Sequence, residues 1–189
     1  MSSIVVAGDT SGSVTLQAPA VSGSTVLTLP AVSGTVITNT AGVVTQAMLS
    51  TNVAGNGPAF SAYKNSAQTA FSGFAKVKLD FEEFDTANCF DSVTNYRFTP
   101  NVAGYYQVNG CVTRAVTNCD LSVNLYKNGA LFKYGNTAYV SIGSMTGAWL
   151  VYMNGSTDYL ELYAYMSVSQ DLNIGPNGCY FQAFLARSA

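Results

Sequence analysis

Strict alternation runs through Asp120 to Lys127, with Leu121, Val123 and Leu125 on one face and Ser122, Asn124 and Tyr126 on the other. That is the period of a half-buried strand. Asn128-Gly129 follows; both residues tolerate positive φ, so the pair suits a two-residue hairpin, and Ala130 to Tyr134 is the expected return strand. A second Asn-Gly, Asn154-Gly155, separates the apolar run Ala148 to Met153 from the alternating stretch Asp158 to Met166, and the sequon Asn154-Gly155-Ser156 is read as that turn. Further β runs lie at Val77 to Phe81, Tyr105 to Val116 and Cys179 to Arg187. No segment carries a convincing helical period. Turn residues fall roughly every 8 to 12 positions, so the pattern predicts an all-β, antiparallel sandwich or jelly roll.

The stretch Asp158 to Met166 carries a second message. Leu160, Leu162, Ala164 and Met166 share one face and suit a core, which sends Tyr159, Glu161, Tyr163 and Tyr165 to the opposite face. Rings with a polar tip are enriched where subunits meet. Tyr159, Tyr163 and Tyr165 are therefore the expected self-association surface, the alternative being that a loop or the N-terminal arm of the same chain covers them.

The opening of the chain is of another kind. Ser11-Gly12, Ser22-Gly23 and Ser33-Gly34 recur every 11 residues, each followed by a β-rich run. Val14 and Leu16, then Val26, Leu27 and Leu29, then Val36 and Ile37 are the apolar residues of the three runs. One such unit cannot bury its own apolar face, so the repeats predict an anchor that gains partners from sister chains or from a larger surface. Asp9 is the only charged residue through Pro58, and no aromatic residue precedes Phe60. The boundary is accordingly expected at Asn56-Gly57-Pro58, giving an extended arm over 1–56 and an independently folding domain over 57–189.

Charge excludes several partners. Eight Lys and Arg against ten Asp and Glu leave a net charge of −2 with no basic run, so nucleic acid is not expected as a ligand. No run of about 18 apolar residues occurs, and no basic segment precedes an apolar one at the N-terminus, so neither membrane insertion nor a signal peptide is read. A charged fraction of 10% leaves few ionic devices for keeping molecules apart, which favours a surface covered by assembly.

Candidate chemistry is sparse. There is no histidine, and Cys89, Cys111, Cys119 and Cys179 show no CxxC spacing. Reduced thiols are the expected state, with a Cys111 to Cys119 bridge as the alternative that spacing alone leaves open. Asp80, Glu82, Glu83 and Asp85 could supply carboxylates for glycoside hydrolysis or oxygens for calcium, with Asp80 and Glu82 sharing a strand face. A short acidic run more often is a solvated edge. No Gly-x-Ser-x-Gly occurs, and a hydroxyl nucleophile would lack a histidine base. No enzyme activity, cofactor or metal is expected.

Phe98-Thr99-Pro100-Asn101-Val102-Ala103-Gly104-Tyr105-Tyr106 resembles the Phe-Thr, Gly-x-Tyr signature of the complement 1q and tumour-necrosis-factor-like jelly rolls, with Tyr106 in the position of the family tyrosine. Phe181-Gln182-Ala183-Phe184-Leu185 is similar to the family's closing Phe-x-Gly-Phe-Leu, with Ala183 in place of glycine. Gly155 to Leu162 is similar to its Gly-Asp-x-Val turn and strand. Phe98, Gly104, Tyr106, Phe181 and Leu185 are thereby the expected core motif. The resemblance implies a compact homotrimer, one sheet of each subunit packed about the three-fold axis and variable loops displayed at one end.

The arm, by contrast, resembles the openings of small structural proteins of tailed bacteriophages, where a β arm attaches to the particle and a trimeric head projects. The combined expectation is a non-enzymatic virion protein at the particle surface. In one form it is a capsid decoration or cement protein whose arm contacts the major capsid protein or another virion protein. In another it is a short fibre or tail-fibre receptor-binding protein whose head recognises a host surface glycan or protein. A cellular complement 1q-like binding module is the alternative from another class.

Overall fold

A computed structural model describes residues 3–7, 10–11, 13–17, 48–114, 118–141 and 143–189. The chain divides into two compact units, Met1–Val43 and Val44–Ala189. In the first, β1 (Ser3–Ala7) and β2 (Ser13–Gln17) form an antiparallel hairpin that pairs Ile4 with Leu16 and Val6 with Val14. Val26, Leu27, Leu29, Val36 and Ile37, the apolar positions of the second and third repeats, lie outside the described residues.

The second unit is built of two antiparallel sheets. Its strands are β3 (Ala59–Tyr63), β4 (Phe71–Lys76), β5 (Phe81–Asp85), β6 (Phe90–Asp91), β7 (Arg97–Phe98) and β8 (Ala103–Arg114). They continue with β9 (Cys119–Lys127), β10 (Ala130–Val140), β11 (Gly143–Asn154), β12 (Leu160–Gln170) and β13 (Tyr180–Ser188). One sheet runs β11-β8-β13-β3-β5; the other runs β10-β9-β12-β7-β6, with β4 also paired to β12. No α-helix occurs among the described residues.

Local chemistry explains the turns. Asn128 (φ 54°) and Gly129 (φ 79°) both take the left-handed backbone, the mirror-image turn whose twist matches the flanking strands. Asn154 Oδ1 accepts the N–H groups of Ser156, Thr157 and Asp158 at 3.0 Å each, closing the second Asn-Gly turn.

The stretch Val77 to Phe81 departs from the expected strand. It is the crossover between the sheets: β4 belongs to one and β5, which starts only at Phe81, to the other. Val77 and Leu79 are buried, which accounts for the alternating pattern. Their backbone is satisfied irregularly, Val77 N–H donating to Leu162 C=O at 2.9 Å and Lys78 N–H to the Gln68 side chain at 3.0 Å. Alternation reported burial here and not strand pairing, because a connection lying between two sheets must bury alternate residues too.

Between the sheets lies one apolar core. Leu121, Val123 and Leu125 of β9 face Met166, Ala164 and Leu162 of β12 in register, all buried. Phe60 stacks on Phe90 and Phe98 with ring centroids 4.7 and 4.6 Å apart and meets the edge of Phe181 at 5.3 Å. These offset and edge contacts are the preferred geometry of aromatic pairs.

Candidate interaction surfaces

The core motif converges. Phe98, Tyr106, Phe181 and Leu185 are buried together, Phe98 meeting the edge of Tyr106 at 5.5 Å. The buried Tyr106 hydroxyl donates to Val102 C=O at 2.8 Å, so its polar tip is satisfied. Burial drives the Tyr106 pKa far above the ordinary phenol value. A Cβ on Gly104 would stand 2.4 Å from Arg187 O and 2.7 Å from Leu185 Cδ1, so the start of β8 approaches the end of β13 more closely than any side chain allows.

The tyrosine row lies on the outer face of the β10-β9-β12 sheet, as its alternation with the buried Leu160, Leu162 and Ala164 requires. Each ring there already has a partner in the same chain. Tyr163 stacks on Tyr126 with centroids 3.7 Å apart and planes 14° from parallel. Tyr165 packs on Phe74 at 4.8 Å, and the Arg97 guanidinium lies 4.4 Å over Tyr159. Beneath these rings Ser122, Asn124 and Glu161 are buried although they too face away from the core. Asn124 Nδ2 donates to Ser122 Oγ at 2.9 Å, and Glu161 is ion-paired with Lys76. This face therefore covers itself with its own side chains.

The outer face of the five-stranded sheet differs. Tyr105, Leu150, Tyr152 and Phe184 stay 41 to 54% exposed. Register makes them neighbours: Tyr152 opposes Tyr105, and Gln107 lies between Leu150 on one side and Phe184 on the other. Gln107, Asn109 and Gln182 continue the face as neutral carboxamides, Gln182 donating to Ser61 Oγ at 2.9 Å. The result is a contiguous patch of large apolar and aromatic groups, bordered by Arg187 beside Tyr105 and by Lys127 near the Tyr152 ring, a composition enriched at subunit contacts. The period of the sequence does not mark this face, because Ala148 to Met153 is apolar at every position. A strand with apolar residues on both faces shows no alternation, and the continuity of the run was the available signal.

The acidic run does not form one site. Asp80 precedes β5 and accepts the N–H groups of Asn65 and Ser66 at 2.7 and 3.0 Å, so it shares no strand face with Glu82. Glu82 accepts from Ser92 Oγ and Glu83 from Ser61 Oγ. Asp85 accepts the N–H groups of Ala87, Cys89 and Phe90. Each carboxylate holds a different piece of backbone or hydroxyl, the ordinary work of acids at turns. Among the described residues no group of three or more Cys, Asp or Glu is placed to hold a metal ion.

All four cysteines are buried free thiols. Cys111 lies in β8 and Cys119 in β9, with no bond between them. Burial pushes the Cys179 thiol up to about 12 and raises that of Cys89, which leaves them protonated and inert at neutral pH.

No protein-family model matches the chain and no curated protein matches it. Solved structures do. The globular domain of zebrafish complement 1qA is 16% identical with a TM-score of 0.52, over 70% of this chain and 98% of that one. The Eiger TNF of S. frugiperda is 12% identical with a TM-score of 0.50, over 69% and 93%. At such identities the likeness is one of fold, and it agrees with the two antiparallel sheets: the second unit is a jelly roll of the complement 1q and tumour-necrosis-factor type.

Proposed function

We propose that the chain is a non-enzymatic structural protein that works as a homotrimer through the outer face of its five-stranded sheet. The observation that carries this reading is the contiguous exposed patch of Tyr105, Leu150, Tyr152 and Phe184. A largely apolar patch of this kind gains by leaving water at roughly 25 cal/mol per Å² of apolar area covered. The tyrosine row of the other sheet has less to gain, since its rings are already half-buried against Tyr126, Phe74 and Arg97. Used head-to-tail with a three-fold rotation between neighbours, a contact through the five-stranded sheet closes into a trimer.

The repeats of the first unit support the rest of the reading: a trimer anchored by three β-rich arms to a virion, through the major capsid protein or another particle protein, with the jelly roll projecting. Linked weak contacts suit such an anchor, because three arms act at high effective concentration. Copy number in purified particles tests the location. A number near that of the capsid protein supports decoration, a small number supports a tail or vertex fibre, and absence from particles overturns the virion reading.

A further inference from the structure

From the structure we infer that the jelly roll holds a binding site for a neutral sugar, of mono- or disaccharide size, in the cavity between the segment entering β3 and the segment leaving β5. The cavity measures about 340 Å³ and is lined by Thr51, Asn56, Pro58, Thr86, Ala87 and Asn101, with backbone from Gly55, Gly57 and Ala59. That volume sits at the small end of ligand sites. Among the described residues no ionisable side chain lines it, so a charged ligand would find no opposite charge there to offset its desolvation.

Its polar groups are amides and hydroxyls, and several are unspent. Asn56 Nδ2 donates to Leu49 C=O at 2.7 Å, which fixes that amide and leaves its Oδ1 as an acceptor. Among the described residues the Asn101 side chain and the Thr51 hydroxyl meet no hydrogen-bond partner. Pro58, Ala59 and Ala87 supply small apolar wall between them. A sugar ring presents this same mixture, hydroxyls that both donate and accept around a carbon face.

The walls are also fixed in advance. Ala59 N–H donates to Thr86 Oγ1 at 2.9 Å, and Thr86 N–H donates back to Ala59 C=O at 2.9 Å. Pro58 C=O accepts Leu185 N–H at 3.0 Å, and Asp85 clamps the N–H groups of Ala87 and Cys89. A site held this way needs little ordering when it binds, which matters for a small ligand with few contacts.

This assignment rests on reading the second unit as a displayed head, but the cavity belongs to a single chain and does not need the trimer. The test is an NMR titration of the full chain with glucose, galactose, mannose and N-acetylglucosamine in turn, with inorganic phosphate as the charged control and molecular mass followed in parallel. The expected result is saturable shifts at Thr51, Thr86 and Asn101 with at least one of the sugars and none with phosphate. Asn101→Ala, an exposed position that leaves the fold intact, should weaken binding about tenfold, the value of one or two hydrogen bonds. Ala87→Leu, which fills the cavity, should abolish it. No saturable shift with any of the four sugars overturns the site, as does binding that reports elsewhere or is unchanged in both variants. A monomer that binds sugar would sink the trimer and keep the site; a trimer that binds none would do the reverse.

Discussion

Trp149 of β11 donates its indole N–H to the backbone carbonyl of Tyr134 on β10 at 3.1 Å, joining the edge strand of one sheet to the edge strand of the other. The ring reaches that carbonyl only because glycines make room. A Cβ on Gly147 would stand 2.2 Å from the indole, and one on Gly135 would stand 2.8 Å from the indole and from Val123 O. The tryptophan thus ties the edge strands of the two sheets together along one side of the sandwich.

Trp149→Ala should therefore cost about 3 to 5 kcal/mol of stability, and Gly147→Ala about 1 to 3 kcal/mol through overpacking. Urea unfolding followed by far-ultraviolet circular dichroism measures both. Trp149→Phe keeps most of the buried area but orphans the Tyr134 carbonyl, and should cost less than Trp149→Ala.

Surface charge separates the two faces as candidates for self-association. Phe184→Asp and Leu150→Asp replace exposed side chains and should leave a monomer folded while weakening the trimer by at least about tenfold, since an unpaired charge would be buried at the contact. Sedimentation velocity reads this directly. Tyr165→Ser, on the self-covered face, should leave the mass unchanged and lower stability by about 1 kcal/mol through loss of the Phe74 contact.

Acid should destabilise the head through its turn carboxylates. Hydrogen bonds from the Thr94, Val93 and Asn95 N–H groups outweigh burial and hold Asp91 at about 2. At Asp80 burial opposes ionisation, yet the hydrogen bonds from Ser66 and Asn65 win and keep it below the usual carboxylate range. Folded values below the unfolded one of about 4 give stability that is fully present above pH 4 and lost as the pH falls towards 2. Thermal melts at pH 7, 4 and 2 should show little change over the first step and a marked fall over the second. Asp91→Asn should flatten that fall.

The buried thiols make a further expectation. An aromatic disulfide reagent should label fewer than one cysteine per chain in the native protein within minutes and all four after denaturation, since only the thiolate reacts and every thiol is buried.

Much of the head was legible because its strands are half-buried. Leu121, Val123 and Leu125 announced the core face of β9, and Asn128-Gly129 announced the turn that follows. The Phe98 to Tyr106 stretch brought together residues that do pack as one cluster. Other features were not legible. Alternation from Val77 to Leu79 marks a buried crossover, since period two encodes burial on one side and says nothing of the partner strand. The outward face of Tyr163 and Tyr165 was legible, but the rings that pack on them, Tyr126 and Phe74, were not, because they come from other strands. Cross-strand neighbours are set by register, which period alone does not fix.

The most direct test of this account is the mass of the full chain in solution by sedimentation equilibrium across a range of micromolar concentrations. A single species at three times the 19.9 kDa of the chain, reduced towards one chain by Phe184→Asp, is the predicted result. A monomer throughout, or a trimer untouched by Phe184→Asp and Leu150→Asp but dissolved by Tyr163→Asp, would contradict the assignment of the five-stranded face.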